Sequence, residues 1–437
     1  MKFLQLILAC TATMLVLSAC CLFAEPQKPN TLVIITDHED GLYNSEKDES
    51  ICFLLKSTLA LKPGESITAE LDQNGKITSN IPIENNQVKV PSTPGWSLLR
   101  VFKVNTNGKR SGQLAMRGAL TDVDNITAGA PEPADFDAFW KKQIDNMNSV
   151  PMNTKLTEVK FTDSKFAGKI RAWNFVLDCG NGNFAHGYIS MPANAKPGTL
   201  PAIAQFHGAG TFGIPAPSTY YAFHSIHVVL SPHASECGKD GKYYAEFRKQ
   251  MQGYPHRDAD NAEKYYMKGM ILRVVRTLQF IESRPEWDGK TLITHGESQG
   301  GFQAIVGAAL DKHVSFCLAM VPAMSDHLGY LKGHKNGWPQ VIKMDTKSGK
   351  PQNSDFNKKA ISTLPYFDNA NFAKRILCET WISTGLRDTT CPPSGVVAVY
   401  NNLPNNIEKH LFISPTAGHD AGYAGVVDRL HSIVKPE

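Results

Sequence analysis

Apolar positions change their spacing twice along the chain, and those changes divide it. A continuous apolar run from Phe3 to Ala24 follows Lys2 and stops at polar Glu25-Pro26-Gln27. From about Thr31 to Val104, short strand-like runs such as Thr31–Thr36, Ser66–Leu71 and Ser97–Val104 are punctuated by Lys62-Pro63-Gly64, Gln73-Asn74-Gly75 and Thr93-Pro94-Gly95. Short strands closed by such turns predict a small all-β sandwich, assigned to residues 25–122. Two close prolines in Ala128-Gly129-Ala130-Pro131-Glu132-Pro133 disfavour helix across them. Residues 123–132 therefore read as a linker, and the helical pattern from Asp135 opens a second domain over 133–437.

In that second domain the spacing alternates. Strands are predicted at Ile170–Leu177, His186–Met191, Pro201–Phe206, His227–Leu230, Thr291–His295, Ser315–Val321, Leu377–Ser383 and Lys409–Ser414, the later ones separated by helical stretches. The clearest helix ends near Glu282 and lines up Met267, Met270, Ile271, Val274, Val275, Leu278 and Ile281 on one face, the methionines being core residues. Antiparallel strands followed by strand–helix alternation around apolar strands predict an α/β sheet covered on both sides. The all-β part is of immunoglobulin-like type. It can bind sugar, pack on the second domain or space it from a membrane, and the sequence leaves these open.

Composition narrows the class. With 437 residues and 42% hydrophobic positions the chain has material for two domains, and a net charge of +4 carried by scattered basic residues offers no face for a phosphate backbone. Nucleic acid is excluded as a partner. Lys2 with the apolar run over 1–24 reads as an export signal. Leu17-Ser18-Ala19-Cys20 resembles a lipoprotein lipobox, which would attach the chain to a membrane through Cys20, although apolar Cys21-Leu22-Phe23 follow directly. Cleavage after Ala24 is the alternative, and either route places the mature protein outside the cytoplasm. Cleavage there leaves Cys52, Cys179, Cys237, Cys317, Cys378 and Cys391, with no CxxC pair for a structural zinc site. Cys317 and Cys378 sit in apolar runs as buried small hydrophobes, and one disulfide of unassigned pairing is allowed.

The chemistry concentrates in Gly296-Glu297-Ser298-Gln299-Gly300, which follows the strand Thr291–His295 and precedes a helix from about Gly301 to Leu310. In that context GxSxG is a nucleophile elbow: glycines permit a turn too sharp for side chains, and the serine hydroxyl is left exposed beside a helix N-terminus. A serine hydroxyl needs an imidazole to take its proton and a carboxylate to hold the imidazole's tautomer. Asp388 in Ser383-Thr384-Gly385-Leu386-Arg387-Asp388 and His419 in Thr416-Ala417-Gly418-His419-Asp420 follow successive strands in the order serine, acid, histidine. Singly, Asp388 also fits a turn and His419 a surface loop; their joint order favours catalysis. An oxyanion needs two backbone donors, assigned to the N–H groups of Gln299 and of Ala209 in Phe206-His207-Gly208-Ala209-Gly210, with His207 kept structural. Tyr220, Tyr221, Tyr243 and Tyr244 are candidates for stacking on sugar, a role they share with plain packing. No metal or organic cofactor is required.

At these residues the chain resembles the acetyl xylan esterase and cephalosporin C deacetylase group of α/β hydrolases, carbohydrate esterase family 7. The likeness spans Glu132 to about His431. It rests on Asp135-Phe136-Asp137-Ala138-Phe139-Trp140, Phe206-His207-Gly208, Gly296-Glu297-Ser298-Gln299-Gly300-Gly301, Gly385-Leu386-Arg387-Asp388 with Cys391-Pro392-Pro393, and His419. The resemblance implies an α/β-hydrolase fold, Ser298 as nucleophile, Asp388 as acid, His419 as base, Ala209 and Gln299 as oxyanion donors, and acetylated xylan or its oligosaccharides as substrate. Ser231-Pro232-His233 stands where the family shows Arg-Gly-Gln, Ala209 where it shows tyrosine, Glu297 where a small residue is usual, and Asp420 where glutamate is usual. These changes bear on pocket shape and substrate preference. The compact members lack the N-terminal sandwich, which bears on the hexamer-forming surface they use and leaves an oligomer open. An exported peptidase on the same scaffold and a non-catalytic glycan-binding protein are the alternatives.

Overall fold

The computed structural model describes residues 30–434 except 212, 215, 346, 347, 421 and 422. The predicted leader at 1–24, with Leu17–Cys20, lies outside the described residues. Eight strands make up the N-terminal region: β1 (Leu32–Thr36), β2 (Leu42–Tyr43), β3 (Ser50–Ser57), β4 (Ser66–Gln73), β5 (Lys76–Ile81), β6 (Gln87–Pro91), β7 (Gly95–Val104) and β8 (Arg110–Thr121). They form two sheets, ordered β1-β3-β6 and β2-β8-β7-β4-β5. Period-two alternation explains why the smaller sheet has one inner and one outer face: β3 buries Ile51, Phe53 and Leu55 and turns the residues between them outward. Those three pack with Val88 and Val90 of β6 and with Leu71, Leu99 and Val101 of the larger sheet in one core.

The connection to the second domain is pinned rather than loose. The side-chain amide of Asn401 donates to the carbonyls of Val123 and Ile126, both at 2.9 Å, and the Gly129 N–H donates to Asp326 Oδ1 at 2.6 Å. Helix α1 (Phe136–Asn148) follows. Its Phe136 and Trp140 are buried against Phe372, Trp140 also against Phe367, and the Trp140 indole donates to the Tyr366 carbonyl at 2.9 Å. The Asp135–Trp140 motif thus fastens the start of the domain.

The remaining elements are β9 (Lys155–Val159), β10 (Ile170–Asp178), β11 (Phe184–Pro192), β12 (Leu200–Phe206), β13 (Ile226–Leu230), α2 (Gly241–Gln250), α3 (Tyr266–Glu282), β14 (Trp287–Glu297), α4 (Gln299–Leu310), β15 (Phe316–Met320), α5 (Asp355–Thr363), α6 (Asn369–Ala373), β16 (Glu379–Gly385), α7 (Pro393–Asn401), β17 (Lys409–Ser414) and α8 (Tyr423–Val434). All eight predicted strands are present. The nine-stranded sheet runs β17-β16-β15-β14-β12-β13-β11-β10-β9, parallel from β13 through β17 and antiparallel at β11, β10 and β9. Its central strands are covered on both faces. Ala202, Ala204, Leu292, Cys317 and Ala319 belong to the core shared with α1, α3 and α4, whereas Ile203, Ile293, Leu318 and Met320 pack with Val426, Leu430 and Val434 of α8. The apolar face of α3 is buried as its spacing predicts.

Strand β12 lies between β13 and β14, so the chain leaves β12 toward one side and β14 continues the sheet on the other. Loops at the carboxyl ends of such neighbours diverge and leave a crevice. With this strand order and helices on both faces, the second domain has the α/β-hydrolase fold, preceded by a β-rich region of two sheets.

Candidate functional site

The crevice at β12 and β14 holds the elbow. Ser298 sits between β14 and α4 at φ 58° and ψ −119°, a region sparsely used by residues with a side chain. Its backbone is fixed on both sides: Ser298 N–H donates to the Met320 carbonyl, and the Ser298 carbonyl accepts from Ala323 N–H, each at 2.9 Å. A Cβ at Gly296 would meet the Gly300 carbonyl at 2.5 Å, and one at Gly300 would come within 2.2 Å of the Phe206 oxygen. The pentapeptide needs its glycines because α4 starts hard against β12 and folds back on β14. The helix begins at Gln299, two residues before its predicted start, and takes Gly300 and Gly301 into its first turn.

His419 Nε2 lies 2.9 Å from Ser298 Oγ, and His419 Nδ1 lies 2.8 Å from Asp388 Oδ2. Asp388 is fully buried, and its other oxygen accepts from the N–H groups of Thr390 at 2.8 Å and Cys391 at 2.9 Å. The three residues thus form one hydrogen-bonded chain, contributed by the loops after β14, β16 and β17. Burial alone would push the His419 imidazole down. The hydrogen bond and charge of Asp388, joined by the charges of Glu297 and Asp420, outweigh burial and hold it above its ordinary value. A base must be neutral to accept a proton, so a reaction that used His419 as its base would have its acid limb set by this group. Glu297→Gln removes one of the charges that stabilise the imidazolium, and the acid limb of kcat is expected to move to lower pH with the plateau rate little changed. A limb that stays in place in a pH–rate profile would show that Glu297 does not act on His419.

Cys391 stands beside the same group. Burial first, then the Asp388 charge, push its thiol well above the ordinary thiol range, so it stays protonated. One ligand atom each of Asp388, Cys391 and His419 lies within 4.8 Å of the others, as do those of Glu282, Asp311 and His313. In the first set both imidazole nitrogens are already hydrogen-bonded within the chain Ser298–His419–Asp388.

The loop after β12 lies alongside Ser298: a Cβ on Gly208 would be 3.8 Å from that of the serine. Two residues on, the Gly210 carbonyl meets His233 Nε2 at 3.0 Å, and His233 Nδ1 meets the Tyr266 hydroxyl at 2.7 Å. Burial, then the charge of Arg273, push His233 down to about 3, so the ring is neutral. A carbonyl only accepts, so Nε2 carries the proton and Nδ1 accepts from Tyr266. Arg273 donates to the Pro232 carbonyl at 2.9 Å and holds the segment that carries the histidine. Ser231-Pro232-His233 therefore supports the loop bearing Ala209 with an imidazole. Gln299 is locked as well, its side-chain oxygen accepting from the Tyr254 hydroxyl at 2.6 Å.

The four candidate tyrosines divide into two places. Tyr220 and Tyr221 lie against His431 of α8, with hydroxyl to Nε2 distances of 3.4 and 3.3 Å. Tyr243 and Tyr244, on α2, bond to the backbone of Glu236, and Tyr244 also to that of Lys239. Tyr254 and Trp338, which are not among those four, are bonded to the elbow and acid loops. The Trp338 N–H donates to the Thr390 carbonyl at 2.8 Å, and its ring lies 6.2 Å from that of Tyr254. Neither residue sits in a motif; both are recognisable only once the loops are folded together.

Residues 115–434 match the family model described as acetyl xylan esterase (AXE1). Acetyl esterase Axe7A of Xylanibacter ruminicola is 31% identical over 294 residues, 66% of this chain and 63% of that protein, so the match spans less than two thirds of the relative's length. Among solved structures, the acetyl xylan esterase from Paenibacillus sp. R4 superposes with a TM-score of 0.59 at 25% identity, covering 71% of this chain and 97% of its own. Acetyl xylan esterase 1 from Thermoanaerobacterium sp. JW/SL YS485 gives a TM-score of 0.58 at 25% identity, over 71% and 96%. The family span contains the elbow, the acid loop and the histidine loop whose side chains meet in the crevice, and this chain belongs to the acetyl xylan esterase family of α/β hydrolases.

Proposed function

We propose that the protein is a serine carboxylesterase that removes O-acetyl groups from xylan, xylooligosaccharides or related acetylated sugars. The hydrogen-bonded chain Ser298–His419–Asp388, inside the family-matched span, carries the reading. In this mechanism His419 takes the Ser298 proton as Oγ attacks the acetyl carbonyl. The oxyanion is held by the N–H groups of Ala209 and Gln299, and the sugar hydroxyl leaves with the proton from His419. Water, deprotonated by the same imidazole, then releases acetate. No step calls for a metal or organic cofactor. Export, with or without lipid attachment at Cys20, belongs to the same proposal and suits a polysaccharide substrate outside the cytoplasm.

For the N-terminal region we adopt the narrower reading as an immunoglobulin-like sandwich over 25–122. It is supported by the sheet orders β1-β3-β6 and β2-β8-β7-β4-β5, with the short β2 pairing parallel to the last strand β8.

Acetate release from acetylated xylooligosaccharides by the mature protein tests the function. Release is expected, together with labelling of Ser298 by a fluorophosphonate. Labelling without release from any acetylated sugar, but with cleavage of an aminoacyl anilide, would replace the esterase by a peptidase.

A further inference from the structure

Leu386, two residues before the buried carboxylate, is gripped from the N-terminal region. The Trp96 indole N–H donates to the Leu386 carbonyl at 2.8 Å, across 290 residues of chain, and both residues are fully buried. A Cβ on Gly118 of β8 would come 1.8 Å from that same oxygen, and one on Gly41, at φ 72°, would come 2.7 Å from Leu386 Cδ1. Two glycines thus let the backbone of the β-rich region close directly onto the acid loop. The cluster around Leu386 is mixed, with Trp96, Leu98 and Leu120 from one region and Val397 and Ala398 of α7 from the other.

The opposite side of the same turn is tied to the histidine loop. Leu386 N–H donates to the Ser414 carbonyl at 2.9 Å and Arg387 N–H to the Ala417 carbonyl at 3.0 Å. A second tie reaches the segment carrying Trp338. Lys335 pairs at 2.5 Å with Asp72, a fully buried carboxylate of β4 that Arg100 also holds at 2.9 Å, and the Lys335 ammonium lies 5.7 Å from the centre of the Trp96 ring. Trp96 and Gly41 precede the family-matched span, which starts at residue 115. The indole donor and one of the two glycines of this grip therefore lie outside the span that the family model covers, and Gly118 lies just inside it.

We infer that Trp96 is a positioning residue for Asp388, and that the N-terminal region serves as the outer wall of the acid loop rather than as a separable targeting module. The inference rests on Asp388 being the acid of the proposed esterase. Without the indole donor the Leu386 carbonyl is buried with one partner fewer, and the turn between it and Asp388 is free to relax away from His419. Misplacement of a catalytic group by about 1 Å can cost on the order of 100-fold in rate even when the change lies away from the reacting atoms.

Nitrophenyl acetate turnover separates the layers of the argument because it does not depend on which sugar is natural. Trp96→Phe keeps the ring and removes the donor. It is expected to lower kcat by roughly 5- to 50-fold, leave KM within about twofold, and move the acid limb to lower pH because Asp388 raises His419 less. Gly118→Ala, pressing on the same oxygen from β8, is expected to do the same. Phe53→Leu, in the core between the two β sheets, serves as a control: it should lower the thermal midpoint without changing kcat or the pH profile at a temperature where it is folded. Wild-type kcat and pH profile in Trp96→Phe would overturn the inference, as would an equal kcat loss in Phe53→Leu. Absence of turnover and of fluorophosphonate labelling in the wild-type protein would instead overturn the esterase reading itself.

Discussion

Ser298→Ala is expected to lower acetate release by a factor on the order of 10⁶ while leaving the protein folded. The expectation follows from how the residue is held. Its backbone sits at φ 58° and ψ −119°, fixed by hydrogen bonds to Met320 and Ala323 that do not involve the side chain. Alanine keeps the Cβ, so it neither adds nor relieves strain, and the thermal midpoint should stay within about 3 °C. What disappears is the hydroxyl to which His419 Nε2 is bonded. Catalysis that persists would come from the oxyanion donors alone, which leave about 10³- to 10⁴-fold over water in enzymes of this design. Fluorophosphonate labelling should vanish with the hydroxyl. Turnover retained at more than about a hundredth of wild type would mean another nucleophile. Cys391, grouped with Asp388 and His419 within 4.8 Å, would then be the first to test by alkylation.

Much of this site is legible in the sequence because acyl transfer needs few residue types in a fixed order. Gly296 through Gly300 announces the elbow, and strands ending just before Asp388 and His419 place acid and base at one end of the sheet. The sheet itself shows through because its buried strands are apolar runs; β9 does not, since Lys155–Val159 is an edge strand with its residues mostly exposed. The supports are a different matter. His233 reaches Gly210 across 23 residues and Trp96 reaches Leu386 across 290, and no local periodicity encodes either contact. Nothing in the sequence singles out Gly118; the carbonyl of Leu386, 1.8 Å from where a Cβ would stand, makes it obligatory. The same holds for Tyr254, whose hydroxyl bonds Gln299. Reactive groups carry a chemical signature, whereas the groups that hold them are chosen by long-range geometry and can be of many types.

Asp388→Asn is expected to reduce kcat by about 10⁴-fold with little effect on KM or stability. The magnitude follows from which way the new amide must face. Asp388 Oδ1 accepts two backbone N–H groups, from Thr390 and Cys391, while Oδ2 faces His419 Nδ1 at 2.8 Å. An asparagine has one accepting oxygen, and those two donors claim it; turning the amide over would set its NH2 against both of them in a buried site. The NH2 therefore faces Nδ1, which must accept, and the ring proton is driven to Nε2, where it points at Ser298 Oγ. An imidazole protonated on that nitrogen cannot take the serine proton, although every heavy atom stays in place. The loss of the carboxylate charge also removes the main influence that raises His419, so what activity remains should extend to lower pH. A variant within tenfold of wild type would remove Asp388 from the mechanism. Equal loss in Asp388→Asn and Asp388→Ala, with unchanged folding, would show that the carboxylate's charge and placement matter more than the tautomer it enforces.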